Sequence, residues 1–243
     1  MEHIPTKGEY SAVNIWEKAS LTFPSPISGD VEKLILANSS RMNVPAKKVF
    51  HVPGDALNGV YYIVDGRTRH YMVAMDGTEK TLYTLTAGWF FGETPCSLHE
   101  PTGLYSMAEQ DTTIAVIPPE VYNRLMDESK AFRDAILTSY SRKMQILRHE
   151  VENLTFNSCK DRLKRLICSV ADTSTLVDGK WYNLKVHYTQ YEISTIVGGA
   201  RVTVTKLLNE LCAEGFLRIV NRRIQVSQAS YLQVARWLEE HRY

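Results

Sequence analysis

None of the four cysteines, Cys96, Cys159, Cys168 and Cys212, stands at CxxC or any other paired spacing. That removes the usual grounds for a structural zinc, an iron–sulfur cluster or a disulfide framework, and it suits free thiols in a reducing compartment. No apolar run approaches the ~18 residues of a membrane span. Residues 1–10 lack the apolar core of a signal peptide, so the expected location is the cytoplasm, with no membrane partner. The Ser, His and Cys residues come without a GxSxG, an HExxH or a phosphate-cradling glycine loop. An enzyme is therefore not expected, and no catalytic residue, metal ligand or cofactor is assigned. Internal repeats and low-complexity tracts are missing too.

Net charge is also small, at +1 over 243 residues, but its distribution is uneven. Residues 155–243 hold 13 Lys and Arg against 8 Asp and Glu, whereas residues 1–154 hold 15 against 19. A basic C-terminal part behind an acidic N-terminal part suits a polyanion-binding module attached to something else. The length leaves room for one large or two ordinary domains, and 44% hydrophobic with 23% charged residues is an ordinary globular composition.

Residues 1–40 are mixed, with Pro24 and Pro26 interrupting any long helix and a short helix expected near residues 31–38. From Met42 the texture changes to short β-rich runs at 49–52, 60–64, 67–75, 79–85 and 112–117, each ended by glycine or proline. Asp65-Gly66 and Asp76-Gly77 are both read as hairpin turns, since Asp-Gly between β-rich runs is a strong hairpin signal. Regular short strands predict an antiparallel sandwich, jelly roll or barrel of roughly eight strands.

After Pro119 the pattern is helical to about Leu154. Leu137, Tyr140, Met144, Leu147, Val151 and Leu154 are spaced 3, 4, 3, 4, 3, an a/d seam flanked by charge. Such a seam meets a partner helix or packs on the chain's own β domain; a parallel homodimer is the favoured reading. Asn157-Ser158 is the expected joint. Residues 159–171 then form an amphipathic helix, burying Leu163, Leu166, Ile167 and Val170 and turning Lys160, Arg162, Lys164 and Arg165 outward. Ile193, Ile196 and Val197, then Val204, Leu207, Leu208 and Leu211, have helical spacing on either side of Gly198-Gly199. Two helices joined by a tight turn are either a DNA-reading helix-turn-helix or an ordinary αα-corner. Gly215 is expected to end the second helix. Residues 216–226 read as a two-stranded wing tipped by Arg222 and Arg223, and residues 227–243 as a terminal helix.

In that order, β-roll, long helix and winged helix-turn-helix resemble the cyclic-AMP receptor protein / fumarate–nitrate reductase regulator (CRP/FNR) superfamily. The specific matches are Phe91-Gly92-Glu93, Pro118-Pro119-Glu120, the run from Glu192 to Gly198, and Arg201-x-Thr-Val-x-Lys206. The resemblance implies an α+β protein: a cupin-like jelly-roll sensor at residues 1–127, a dimerisation helix at 128–154 and a DNA-binding domain at 155–243. It implies a transcription regulator acting as a homodimer on an inverted-repeat DNA operator under a small-molecule effector, with RNA polymerase a further partner. Expected DNA contacts are Thr189, Gln190, Arg201, Val202, Thr203, Thr205, Lys206, Arg222 and Arg223. Arg201 matches the base-reading arginine of the family. The next family position often carries glutamate; Val202 stands there and suits a thymine methyl instead of a cytosine amine.

The family's effector cassette maps onto Gly92, Glu93 and Ser106. Its cyclic-nucleotide branch carries an arginine before that hydroxyl residue, to grip the phosphate, and here Tyr105 occupies the position. Cyclic AMP is therefore not the expected effector, unless Arg67 or Arg69 substitutes. The iron–sulfur branch needs cysteines before the β domain, and the first here is Cys96. A haem sensor would draw its ligand from His70, His99 or His149. Tyr62, Tyr71, Lys80, Tyr83, Trp89, Phe90, Tyr105, Tyr140 and Lys143 give the pocket an aromatic, basic character, or simply build the β-roll core. An aromatic acid or phenol with a lysine counter-ion is the expected ligand. The residues 202–206 also resemble the branch that senses halogenated phenols. A ligand-binding module without DNA readout is the remaining alternative.

Overall fold

The computed structural model describes residues 27–240; the readings made for residues 1–10 and for Pro24 and Pro26 lie outside them. Two compact units divide the described chain, residues 27–148 and 149–240.

The first unit opens with helix α1 (Gly29–Ala37) and strands β1 (Ser40–Val44), β2 (Val49–His51), β3 (Val60–Asp65), β4 (Arg67–Val73), β5 (Glu79–Thr86) and β6 (Phe90–Phe91). Helix α2 (Glu93–Leu98) separates these from β7 (Tyr105–Ala108) and β8 (Thr112–Ile117). The strands form two antiparallel four-stranded sheets, ordered β1-β8-β3-β6 and β2-β7-β4-β5. Tyr61, Ile63 and Ile114 from the first sheet share one buried cluster with Leu85 and Ala108 from the second. The two inner faces thus pack on each other as a sandwich, each fully buried Ile or Leu contributing about 1.5–3 kcal/mol. A second cluster packs the opposite face of the first sheet, through Val60, Phe90 and Ile117, on Phe132 and Ile136 of the long helix that follows.

Of the two Asp-Gly turns, only one makes a hairpin. Asp76-Gly77 joins β4 to β5, which pair in register from Arg67↔Thr86 to Val73↔Glu79. Asp65-Gly66 instead carries the chain from the first sheet to the second, since β3 pairs with β6 and β8 while β4 pairs with β5 and β7. Gly66 has φ +97°, and a Cβ there would lie 2.5 Å from Thr112 Oγ1 and 2.6 Å from the Asp111 carbonyl. Glycine is needed at that corner for close passage of β8 as well as for its backbone angle.

Helices α3 (Pro119–Glu128) and α4 (Lys130–Phe156) follow. One face of α4 is buried through Phe132, Ala135, Ile136, Ser139, Lys143 and Ile146. Its heptad positions lie on another face: Leu137, Met144, Val151 and Leu154 are 46–66% exposed, with Tyr140 and Leu147 half-buried beside them.

The second unit comprises α5 (Cys159–Ser169), β9 (Trp181–Asn183), α6 (Gln190–Val197), α7 (Arg201–Ala213), β10 (Leu217–Val220), β11 (Arg223–Ser227) and α8 (Gln228–Glu240). Leu163, Ile167, Ile193, Val204, Leu208, Leu211 and Val226 meet in a single core. Ser158 caps α5 by accepting from the Asp161 amide, which starts the helix at the expected joint. Gly215 ends α7 with φ +71°, its amide bonding the Cys212 carbonyl while Phe216 N bonds Leu211 O. Strand β9 adds a third strand to the wing, in the order β10-β11-β9.

Arg165 departs from the outward placement expected of it. Its side chain is buried, donating to Asn153 Oδ1 at 3.2 Å and lying 4.6 Å over the Trp237 ring. Helical periodicity places it near the boundary of the apolar face, and these two distant partners draw the guanidinium in. Among the described residues no helix is long and apolar enough to cross a membrane.

Candidate DNA-reading surface and effector site

Helix α6 begins with a complete capping box. Thr189 Oγ1 accepts from the Glu192 amide at 3.2 Å, while Glu192 Oε2 takes the Thr189 amide at 2.7 Å and its hydroxyl at 2.9 Å. The Thr189 hydroxyl therefore donates within the fold. At the other end Gly198 takes φ +65°, and Arg162 from α5 donates to the carbonyls of Val197 at 2.7 Å and Gly198 at 3.2 Å. The guanidinium satisfies carbonyls that the end of a helix leaves open, and it holds the inter-helix turn on α5. A Cβ on Gly199 would meet Cys159 Sγ at 2.7 Å, so the turn passes too close to α5 for a side chain.

Past that turn, α7 buries Val204, Leu208 and Leu211 and leaves Arg201, Val202, Thr203, Lys206 and Asn209 exposed. Val202 is 81% exposed, on the side of the helix away from its own apolar face. Asn209 was not singled out from the sequence; its signal was the i+3 spacing from Lys206 and i+7 from Val202, which puts all three on one face. Thr205 differs from its neighbours. It is half-buried, with its hydroxyl 2.8 Å from Gln190 Oε1 and 3.0 Å from the Arg201 carbonyl.

The wing turns at Asn221 and Arg222, with φ +50° and +63°. Two consecutive positive φ values between paired Val220 and Arg223 define a type I′ turn, whose second position favours glycine. Here Arg222 fills it, and His187 Nε2, 3.1 Å away, donates to its carbonyl. Both arginines at the tip are exposed.

In the first unit the residues expected around an effector separate into two groups. Alternation along β4 and β7 turns Thr68, His70, Ser106 and Ala108 to the interior, and Arg67, Arg69, Tyr71, Tyr105 and Met107 to the other face. On that outer face Tyr71 stacks on Tyr105 at 5.1 Å, with the Arg69 guanidinium 4.1 Å over the Tyr71 ring. Arg69 is ion-paired with Glu79 at 2.8 Å, and Arg67 with Glu109. Neither arginine stands where it could replace a phosphate grip beside Ser106, and Tyr71 and Tyr105 are not brought together with Glu93 and Lys143.

The interior group is fully buried and paired. Lys143 of α4 reaches Glu93, the first residue of α2, at 2.6 and 2.7 Å, and Ser139 adds a bond to the same carboxylate at 3.1 Å. Burial pulls the Lys143 ammonium below its ordinary range, against the opposing pull of Glu93. The lysine expected as a counter-ion thus already holds a carboxylate of the protein. Alongside, His70 bonds Ser106 Oγ through Nδ1 at 3.0 Å and Thr68 Oγ1 through Nε2 at 2.9 Å. Burial, followed by the charge of Lys143 and the neighbouring His51, lowers His70 to about 3, so the ring is neutral. Tyr83 links the two sets, 5.2 Å from the His70 ring and 5.9 Å from Lys143 Nζ. Trp89 is buried in the sandwich core, Tyr140 packs against the cluster under α4, and Gly92 sits against Tyr61. Lys80 lies opposite Met72 near the turn end of the β4–β5 hairpin.

Two family models match the chain: a cyclic nucleotide-binding domain at residues 41–129 and a Crp-like helix-turn-helix domain at residues 161–235. A cyclic AMP receptor protein from Thermus thermophilus is 22% identical over 200 residues, covering 82% of this chain and 89% of that protein. Among solved structures, a CooA mutant from Carboxydothermus hydrogenoformans superposes with a TM-score of 0.74 at 22% identity, over 91% of this chain and 99% of that one. The c-di-GMP responsive regulator CLP of Xanthomonas campestris gives a TM-score of 0.73 at 19% identity, over 82% and 99%.

Proposed function

The chain belongs to the CRP/FNR family of DNA-binding transcription regulators, an effector-binding domain followed by a Crp-like helix-turn-helix, and on that footing we propose how its two parts communicate. A small organic anion, an aromatic carboxylate or a phenolate such as that of a halogenated phenol, enters beside Tyr83 and shares the Lys143 ammonium with Glu93. The observation that carries this reading is the position of Lys143. It contacts the cassette from the same helix, α4, whose exposed heptad positions include the adjacent Met144. Displacing the ammonium shifts α4, and with it a homodimer seam formed by Leu137, Met144 and Val151 with Tyr140, Leu147 and Leu154. The two copies of α7 then match half-sites of an inverted repeat about one DNA turn apart.

A cyclic nucleotide is a poor match to this interior. Its phosphate would lack an arginine at the Tyr105 position, and the Ser106 hydroxyl is already bonded to His70. Arg201 is assigned to a guanine edge or a phosphate, Val202 to a thymine methyl, Thr203 and Lys206 to the backbone, and Arg222 and Arg223 to flanking phosphates. The relatives are regulators and not enzymes, and the cytoplasm is the location this reading requires.

The test is a thermal-shift series with benzoate, 2-chlorophenol and cyclic AMP, followed by gel shifts on an inverted-repeat duplex selected by the protein. Stabilisation by the acid or the phenol, with a matching rise in DNA affinity, is expected. Stabilisation by cyclic AMP alone would overturn the effector class, and DNA affinity indifferent to every ligand would overturn the switch. Met144→Glu with Val151→Glu should yield monomers in sedimentation; a persisting dimer would reject the seam.

A further inference from the structure

We propose that Thr205 is a positioning residue for DNA binding that acts through Gln190. Its hydroxyl donates to Gln190 Oε1 and thereby turns the amide Nε2–H₂ outward as a phosphate donor. The proposal rests on the DNA-reading assignment of this surface and adds to it a side-chain device.

Three observations carry it. First, the 2.8 Å contact joins residues fifteen apart in sequence, one at the start of α6 and one in α7. Helix-to-helix side-chain bonds are therefore available to fix a spacing that the double-glycine turn alone would leave free to adjust. Second, the backbone of Gln190 is already held, because it is the first helical residue and lies inside the capping box, between Thr189 and Glu192. A long side chain on a fixed backbone loses only its own rotamer freedom on binding, and Thr205 removes much of that loss beforehand. Third, the amide is asymmetric. With its carbonyl oxygen taken by a hydroxyl, the end left for DNA is the donor, which suits a phosphate oxygen. The Thr205 hydroxyl, shared between Gln190 and the Arg201 carbonyl, has no second proton to give. Its role is to aim a neighbour.

A neutral donor releases no counterion, so the device has a signature distinct from that of Lys206. The probes are a 30-base-pair duplex enriched by the wild-type protein from a randomised pool at low salt, and a scrambled duplex of the same length. Thr205→Val should weaken both about three- to tenfold, the effect of one hydrogen bond, with the slope of log affinity against log salt unchanged. Thr205→Ser should restore affinity to within about twofold, because the hydroxyl is kept. Gln190→Met should show a loss like that of Thr205→Val, and the double variant should be no weaker than Gln190→Met alone.

Additive losses, a wild-type-like Thr205→Val, or a serine variant as weak as the valine variant would each overturn the proposal. Should Thr205→Val melt early, the pair Gln190→Met and Thr205→Ser still decides: the first must bind weakly and the second normally. A wild-type protein that enriches no duplex would overturn the DNA-reading assignment itself, and this inference with it.

Discussion

Lys143 on the long helix and Glu93 on the cassette helix form a buried, two-point ion pair, with Nζ 2.6 and 2.7 Å from the two carboxylate oxygens. Neither side chain has water to fall back on, so losing either partner strands a charge. Glu93→Gln or Lys143→Met alone should cost about 3–5 kcal/mol in urea unfolding of the full chain. Glu93→Gln combined with Lys143→Met should recover most of that. Strict additivity of the two single losses would show that the pair is not coupled.

His70 supplies a pH dependence of known sign. Its ring is neutral in the fold, at about 3, against an ordinary value of 6.5. Between those limits the unfolded chain binds a proton that the native protein does not. The contribution is therefore complete above pH 6.5 and drains away as pH falls towards 3. The slope approaches about 1.4 kcal/mol per unit, and the total is up to roughly 5 kcal/mol. Urea titrations at pH 7, 5.5 and 4 should show wild type losing stability more steeply than His70→Gln by close to one proton. Parallel slopes would contradict the neutral, buried ring.

Val202 should set base preference. Replacing it by glutamate exchanges a thymine-methyl contact for an acceptor suited to cytosine, a discrimination of about 1–3 kcal/mol. Selection from a randomised pool should then move one position of each half-site from T·A towards C·G. An unchanged consensus would remove Val202 from the reading face.

Arg222 should show opposite effects on stability and binding. In the fold it occupies the glycine position of the wing turn at φ +63°. Arg222→Gly should leave thermal stability unchanged or raise it by up to ~1 kcal/mol, the relief of the left-handed strain being partly offset by a freer unfolded chain. The same substitution should lower DNA affinity and reduce the salt slope by about one per protomer. Arg223→Ala, at an ordinary strand position, should weaken DNA binding without the gain in stability. Lowered stability in Arg222→Gly would argue that the turn tolerates arginine at no cost.

Local pattern carried much of the architecture. The α6–α7 corner was legible because two helical periodicities flank Gly198-Gly199, and Gly215 marks the next stop. The strands at 60–65, 67–73, 79–86 and 112–117 were legible from β-rich runs and their breakers. What failed depended on partners far along the chain. Asp65-Gly66 looks the same as Asp76-Gly77 in sequence, and only the approach of β8 makes one a corner and the other a hairpin. Arg165 carries a charge on an amphipathic helix, yet Asn153 and Trp237 draw it inside. The effector candidates are residue types that cluster in sequence around one motif. Alternation across β4 and β7 divides them between two faces, leaving Lys143, Glu93 and Ser106 on the side of His70, whose ring nitrogens bond Ser106 and Thr68.

The first sheet pairs β1 with β8, Ser40 lying opposite Val116. A ladder closed over that distance cannot form during synthesis until the eighth strand has left the ribosome. Folding of this unit should accordingly be slow and all-or-none, with β1 unpaired and one edge of β3 open until β8 arrives. The second unit closes a shorter ladder, Trp181 lying opposite Ser227, and should wait less. Newly made chains should therefore depend on chaperones more for the sensing half than for the DNA-reading half.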